Sequence, residues 1–134
     1  MVITKETDYA LRILRALLDG EQHTVGQVAR SEFLPQAFAY KILKKLEKAG
    51  LIRLSRGSAG GCRLAADLSR VSLYDLMAAL GERSDLSACM EDGFRCPWRQ
   101  CHGDCKAHNR LLDIQRVLDE ELRSHSLRAI LTED

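Results

Sequence analysis

A mainly α-helical fold with one small two-stranded sheet is predicted by three observations. Apolar residues recur at three- and four-residue spacing in several separate stretches, three of them opened by a capping residue. Two short strand-like pieces flank the glycine-rich run Arg56-Gly57-Ser58-Ala59-Gly60-Gly61, which reads as a hairpin tip. A long near-heptad stretch then approaches the end of the chain. The 134 residues, 46% of them hydrophobic, suit one compact domain or one domain with an appended oligomerisation helix. No apolar run approaches the ~20 residues needed to cross a bilayer. Lys5, Glu6, Asp8 and Arg12 do not fit a signal peptide's apolar region, so a soluble cytoplasmic protein is expected.

Each element follows from its own residues. Thr4 is an N-cap with Glu6 and Asp8 in the first turn, where negative charge suits the helix dipole. Tyr9, Ala10, Ile13, Leu14, Leu17 and Leu18 then form a broad apolar face, stopped by Asp19-Gly20. Thr24 caps a short helix holding Val25, Val28 and Ala29. Pro35 is expected at the first position of a third helix, which runs to Ala49 with Gly50 as its C-cap glycine. Leu51 to Ser55 and Cys62 to Ala65 are the strands. Ser72 caps a helix with Leu73, Leu76, Met77 and Leu80, whereas Gly81 to Lys106 has no helical or strand period. The last long helix carries Leu111, Ile114, Leu118 and Leu122, and Ser126 to Leu131 adds a turn or two. The expected units are 1–80, 81–106 and 107–134.

Three helices followed by a hairpin is the order of a winged helix-turn-helix, here with a two-stranded wing and a long C-terminal dimerisation helix. In the third helix, Phe38, Ile42, Leu43 and Leu46 are expected to face the core. Gln36, Ala37, Tyr40, Lys41, Lys44 and Lys48 fall on the opposite side. The start of such a helix reads base edges in the major groove, where Gln36 can pair with adenine and Tyr40 and Lys41 can reach bases or phosphate. Lys44 on the helix, with Arg56 and Ser58 at the wing tip, completes the candidate DNA contacts. The whole chain carries only +1, but seven basic residues between Pro35 and Ala65 face Glu47 alone. That segment is +6 and the remainder −5, a basic reading head on an acidic body.

Five cysteines are many for a reducing compartment. Four lie in a 17-residue window, as Cys89-x6-Cys96-x4-Cys101-x3-Cys105, followed by His108. Thiolates are soft ligands that select zinc, copper(I) or iron–sulfur clusters. Cys101-x3-Cys105 satisfies zinc spacing loosely, and the wide spread suits a four-ligand cluster at least as well. His102 and His108 are near enough to replace a thiolate, and a metal-free thiol/disulfide switch is the remaining competitor. Cys62 reads first as a small buried hydrophobe, although its place beside the wing also fits oxidation sensitivity. His23 and His125 read as surface or capping residues.

The sequence resembles the Rrf-type winged-helix regulators, the family of iron–sulfur regulators of the IscR and NsrR kind. The resemblance rests on Ile3-Thr4-x-x-x-Asp8-Tyr9-Ala10-Leu11-Arg12, on Lys45-Leu46-x-Lys48-Ala49-Gly50-Leu51 with Arg56-Gly57-x-x-Gly60-Gly61, and on the cysteine loop before a long helix. It implies a homodimeric transcriptional repressor holding a [4Fe-4S] or [2Fe-2S] cluster in each subunit and reading a palindromic operator in double-stranded DNA. It further implies three cysteine ligands and a variable fourth, either a histidine at Cys-x2-His or an acidic residue from the partner's first helix. Cys105-x2-His108 and Asp8 offer both. By position Cys89 matches the first family cysteine and Cys105 the third, while Cys96 and Cys101 compete for the middle. Either all four cysteines bind, with Asp8 and His108 beside them, or three bind and one is spare. The opening segment resembles the nitric-oxide-sensing branch, so nitric oxide, redox or iron status is the implied signal.

Under this reading the leucine-rich long helix pairs across a twofold axis, with packing on its own domain as the alternative. Structural zinc or a thiol/disulfide switch in the same loop is the second functional reading. No glycine-rich phosphate loop, nucleophile elbow or catalytic carboxylate pair supports an enzyme, and no membrane partner is expected.

Overall fold

The computed structural model describes residues 2–132. Helix α1 (Lys5–Ala16) begins where Thr4 predicts, its hydroxyl accepting from the Glu6 and Thr7 amides at 3.2 and 3.3 Å. Ala10, Ile13, Leu14 and Leu17 are fully buried, as their spacing requires. Helix α2 (Val25–Ser31) opens on a reciprocal capping box between Thr24 and Gln27. It ends in a Schellman motif, with the Leu34 amide donating to the Ala29 carbonyl at 2.8 Å and the Phe33 amide to Arg30 at 3.4 Å. The left-handed position of that motif, usually glycine, is held by Phe33 with φ 56°.

Helix α3 (Gln36–Lys48) ends at the Gly50 turn, where φ is 76°. Two details differ from expectation. Pro35, with ψ 127°, is the extended N-cap and not the first helical residue. Phe38 does not face the core; it is 54% exposed, and Ala39 is buried in its place. Ala39 stands three and four residues before Ile42 and Leu43, at the centre of the buried arc, whereas Phe38 is one 100° step away. The phenyl ring leaves at the margin and meets Tyr9 of α1 edge-on, with centroids 6.2 Å apart.

Strands β1 (Ile52–Ser55) and β2 (Gly61–Leu64) form the antiparallel wing, with Arg53 opposite Arg63 and Leu54 opposite Cys62. The wing base is pinned to the segment before α2, because His23 and Cys62 exchange backbone hydrogen bonds of 3.0 and 2.8 Å. Gly61 permits this approach, since a Cβ there would sit 2.3 Å from the His23 carbonyl oxygen. Cys62 itself is fully buried, in agreement with its reading as a small core residue.

A 3₁₀ turn at Leu68–Arg70 leads to α4 (Leu73–Ala79), capped by Ser72 and Asp75. The segment expected to lack periodicity is not wholly irregular. It holds a 3₁₀ turn at Ala88–Met90 and a six-residue helix, α5 (Pro97–His102), too short to leave a periodic signal. Helix α6 (Lys106–Ser124) spans 19 residues, ~28 Å. It packs on α4 and the 88–90 turn of its own chain, burying Leu122 and half-burying Leu111 and Leu118. Own-domain packing therefore accounts for most of the leucine stripe, and Ile114 and Val117 are left exposed at 55% and 67%. Helix α7 (Leu127–Leu131) returns to the head, where Leu127 is fully buried and its amide donates to Val71 at 2.8 Å.

Candidate DNA-binding face and cysteine loop

Between α3, the start of α2 and the wing lies an open cleft of about 630 Å³. Gln36, Tyr40, Lys44, Arg56 and Ser58 all line it, so five residues chosen from the sequence converge on one surface. The N-terminus of α3 and the wing tip form its two edges, the arrangement by which a recognition helix enters the major groove while a wing follows the backbone. Ala37 is exposed on α3 outside this cleft, and Lys41 faces a separate hollow with Tyr9, Phe38, Glu6 and Glu82.

Lys45, counted in the basic segment, turns away from the cleft. Its ammonium lies 2.7 Å from the Glu6 carboxylate and donates to the Leu80 carbonyl at 3.0 Å. Two residues further on, Glu82 accepts from the hydroxyls of both Thr4 and Thr7. The end of α4, where the cysteine loop starts, is thus bonded to both the recognition helix and the first helix. A lysine beside the buried Ile42 and Leu46 was the only sequence sign of this tie.

The loop is anchored a second time by α6. Gln115, 7% exposed, donates to the Ser84 carbonyl at 2.9 Å and to Asp119 at 2.8 Å, and accepts from the Leu86 amide at 2.7 Å. The Ser84 hydroxyl completes the network with Asp119 at 2.7 Å. This polar pair inside the Leu111–Leu118–Leu122 stripe was legible as an interruption, but its partners were not.

Cys89 contacts the His108 imidazole, and Cys105 the His108 backbone amide. The Cys89 Sγ is 3.2 Å from His108 Nδ1, and the His108 amide donates to the Cys105 Sγ at 3.4 Å, capping α6. The Ser87 hydroxyl donates to the Cys89 Sγ at 3.3 Å. Cys96 is the N-cap of α5, half-buried, and Cys101 is exposed on the same helix. Among the described residues no hydrogen bond joins either to Cys89, Cys105 or His108, and no three His, Cys, Asp or Glu side chains are gathered as tightly as an ion requires. His102 stacks on Trp98, with centroids 4.6 Å apart. Asp8 pairs with Arg12 along α1 at 3.1 Å. Burial pushes the Cys62 thiol above its ordinary range.

Comparison with known proteins agrees with this architecture. The chain is 34% identical over 100 residues to Protein aau3 of Rhizobium meliloti, a match covering 72% of this chain and 65% of that protein's own length. It is 26% identical over 139 residues to the HTH-type transcriptional regulator IscR of Vibrio parahaemolyticus, covering all of this chain and 79% of that one. The fold matches that of CymR, the global cysteine regulator of B. subtilis, with a TM-score of 0.74 at 20% identity over 98% and 96% of the two chains. Residues 3–133 fit the family model described as Rrf2, iron-dependent transcriptional regulator. The chain therefore belongs to the Rrf2 family, and it is a winged-helix, DNA-binding transcriptional regulator and not an enzyme.

Proposed function

We propose that the chain acts as a homodimeric repressor whose grip on a palindromic operator is controlled by an iron–sulfur cluster held in loop 81–106. The observation that carries this reading is the contact of His108 with both Cys89 and Cys105 at the start of α6. Two thiols and an imidazole are of the soft donor type that clusters use, so the chemistry of these side chains suits the group, and the loop would draw them closer together to hold it. Cys89 and Cys105 would hold it with Cys96 and Cys101 from the same loop, and His108 or the Asp8 carboxylate of a second copy would stand in for one thiolate. When bound, such a cluster supplies a centre reactive towards nitric oxide and oxygen.

The chain's own contacts give that loop a route to DNA. Its root is bonded to α3 through Lys45 and to α1 through Thr4, Thr7 and Glu82. Ordering or releasing the loop then changes the restraint on the recognition helix, an order–disorder switch of a recognised kind. Gln36 and Tyr40 would read bases, while Lys44, Arg56 and Ser58 hold the backbone and Lys41 and Ala37 flank them. A dimer would set two such heads ~34–36 Å apart on successive turns of DNA.

A second reading, structural zinc or a thiol/disulfide switch, draws on the same three side chains. Anaerobic purification with iron, sulfide and zinc analysis separates the two. A brown protein with matching iron and sulfide, whose operator affinity changes on nitric oxide treatment, supports the cluster. A colourless protein with stoichiometric zinc, or with none and a DNA affinity set by reductant, overturns it. Serine replacement of Cys89, Cys96, Cys101 and Cys105 one at a time identifies the ligands, because a spare thiol leaves iron content unchanged.

A further inference from the structure

Phe33 is an aromatic residue placed where neither folding nor solvation favours it. It holds the left-handed position of the α2 Schellman motif at φ 56°, the one non-glycine residue at positive φ among the described residues. Its side chain is 88% exposed, more than any other large apolar residue described, so no burial in the chain compensates the backbone strain. Strain of this kind, retained without an internal contact that explains it, points to a role outside the folded monomer.

The position says which role. Phe33 lies in the turn that leads into α3, three residues before Gln36, and shares a surface hollow with Gly26, Arg30 and Gln36. Gly26 and Gln36 also line the cleft between recognition helix and wing, so the two depressions border the same residues. The hydrogen bond from the Leu34 amide to the Ala29 carbonyl fixes the turn, and Leu34 is buried just beneath it. A rigid turn thus presents a phenyl ring at the N-terminal edge of the recognition helix, with the exposed Arg30 guanidinium beside it.

We propose that Phe33 is a specificity-determining residue that packs against a thymine methyl group in the operator's major groove. Thymine C5-methyl is the apolar feature of that groove, and an aromatic side chain is one of its natural partners. Adenine read by Gln36 and a neighbouring thymine read by Phe33 would make the start of α3 selective for A·T pairs. Arg30 would bind the adjoining phosphate. The inference rests on the DNA-reading role of the α3 face.

The test uses the full-length protein in whichever metal state binds DNA. A duplex is selected from a randomised pool, and affinities are measured for wild type, Phe33→Gly and Phe33→Asn. Each thymine of the half-site is replaced in turn by deoxyuridine, which removes only the methyl group. Loss of one buried methyl contact corresponds to about fourfold per half-site. Wild type is expected to lose that factor at one thymine position, and both variants to lose it on the unmodified duplex while ignoring the deoxyuridine change. Both variants should melt no lower than wild type, because glycine and asparagine relieve the left-handed strain. Equal deoxyuridine sensitivity in wild type and variants overturns the Phe33 contact alone, as does a shift in self-association with DNA affinity intact. Failure of wild type to enrich any sequence overturns the DNA-reading role and this inference together.

Discussion

Single side chains divide the basic segment and the cysteines into groups that composition merges. Lys44 and Lys45 are neighbours in sequence, yet Lys44 lines the open cleft and Lys45 is engaged by Glu6 and the Leu80 carbonyl. Counterion release counts only cations that meet phosphate. Lys44→Ala is therefore expected to shallow the plot of log affinity against log salt by about one. Lys45→Ala should leave that slope unchanged, as titrations of a DNA duplex between low and moderate salt will show. The cysteines divide in the same way. Cys62 is fully buried and its thiol is pushed up by burial, so the reactive thiolate is disfavoured in the folded chain. Iodoacetamide applied to the reduced native protein should leave Cys62 unmodified by peptide mass spectrometry, and label it only after denaturation. Labelling of Cys62 at the rate of Cys101 would contradict its place in the core.

At the scale of elements, what the sequence reveals is local and what it hides is tertiary. Thr4, Thr24 and Ser72 mark helix starts because a cap needs only neighbouring residues, and the wing follows from a glycine-rich run between two short apolar pieces. Helix α5 escaped because six residues cannot complete two turns, and Phe38 was misplaced because one step on a wheel separates a core position from its edge. The convergence of Gln36, Tyr40, Lys44, Arg56 and Ser58 was legible from the order of elements alone. The ties of the cysteine loop were not, since Lys45–Leu80 and Gln115–Ser84 join residues more than thirty positions apart. The second tie is testable as a fold element. Gln115 is buried with every polar atom engaged, so removing it strands the Leu86 amide and the Ser84 carbonyl. Gln115→Leu should cost about 1–3 kcal/mol in denaturant unfolding. It should also speed hydrogen exchange at Leu86 more than in α1, because the loop is released locally.

For the whole molecule the long helix raises the question of which residues remain for a partner. Its leucines are mostly committed at home: Leu122 is buried, and Leu111 and Leu118 are half-covered by α4 and the 88–90 turn. Leu112 is partly exposed, and the helix's most exposed large apolar residues are Ile114 and Val117, adjacent on one face at a three-residue spacing, with Arg110 and Glu121 above and below. Opposite charges at the two ends of a short apolar row are self-complementary in an antiparallel pairing, where Arg110 of one copy meets Glu121 of the other. A twofold axis through the row satisfies that geometry, as an isologous dimer requires. The two parts of the helix then separate by experiment. Leu122→Ala removes a buried side chain and should destabilise the chain by about 2–4 kcal/mol at any protein concentration. Ile114→Arg combined with Val117→Arg places like charges face to face across the axis without opening the core. It should leave far-ultraviolet circular dichroism intact, convert a dimer to a monomer in analytical ultracentrifugation, and weaken binding to a two-half-site duplex far more than to a single half-site. The half-site comparison is decisive, because a defect confined to the reading head weakens both duplexes alike, whereas loss of the dimer removes only the gain from linking two heads.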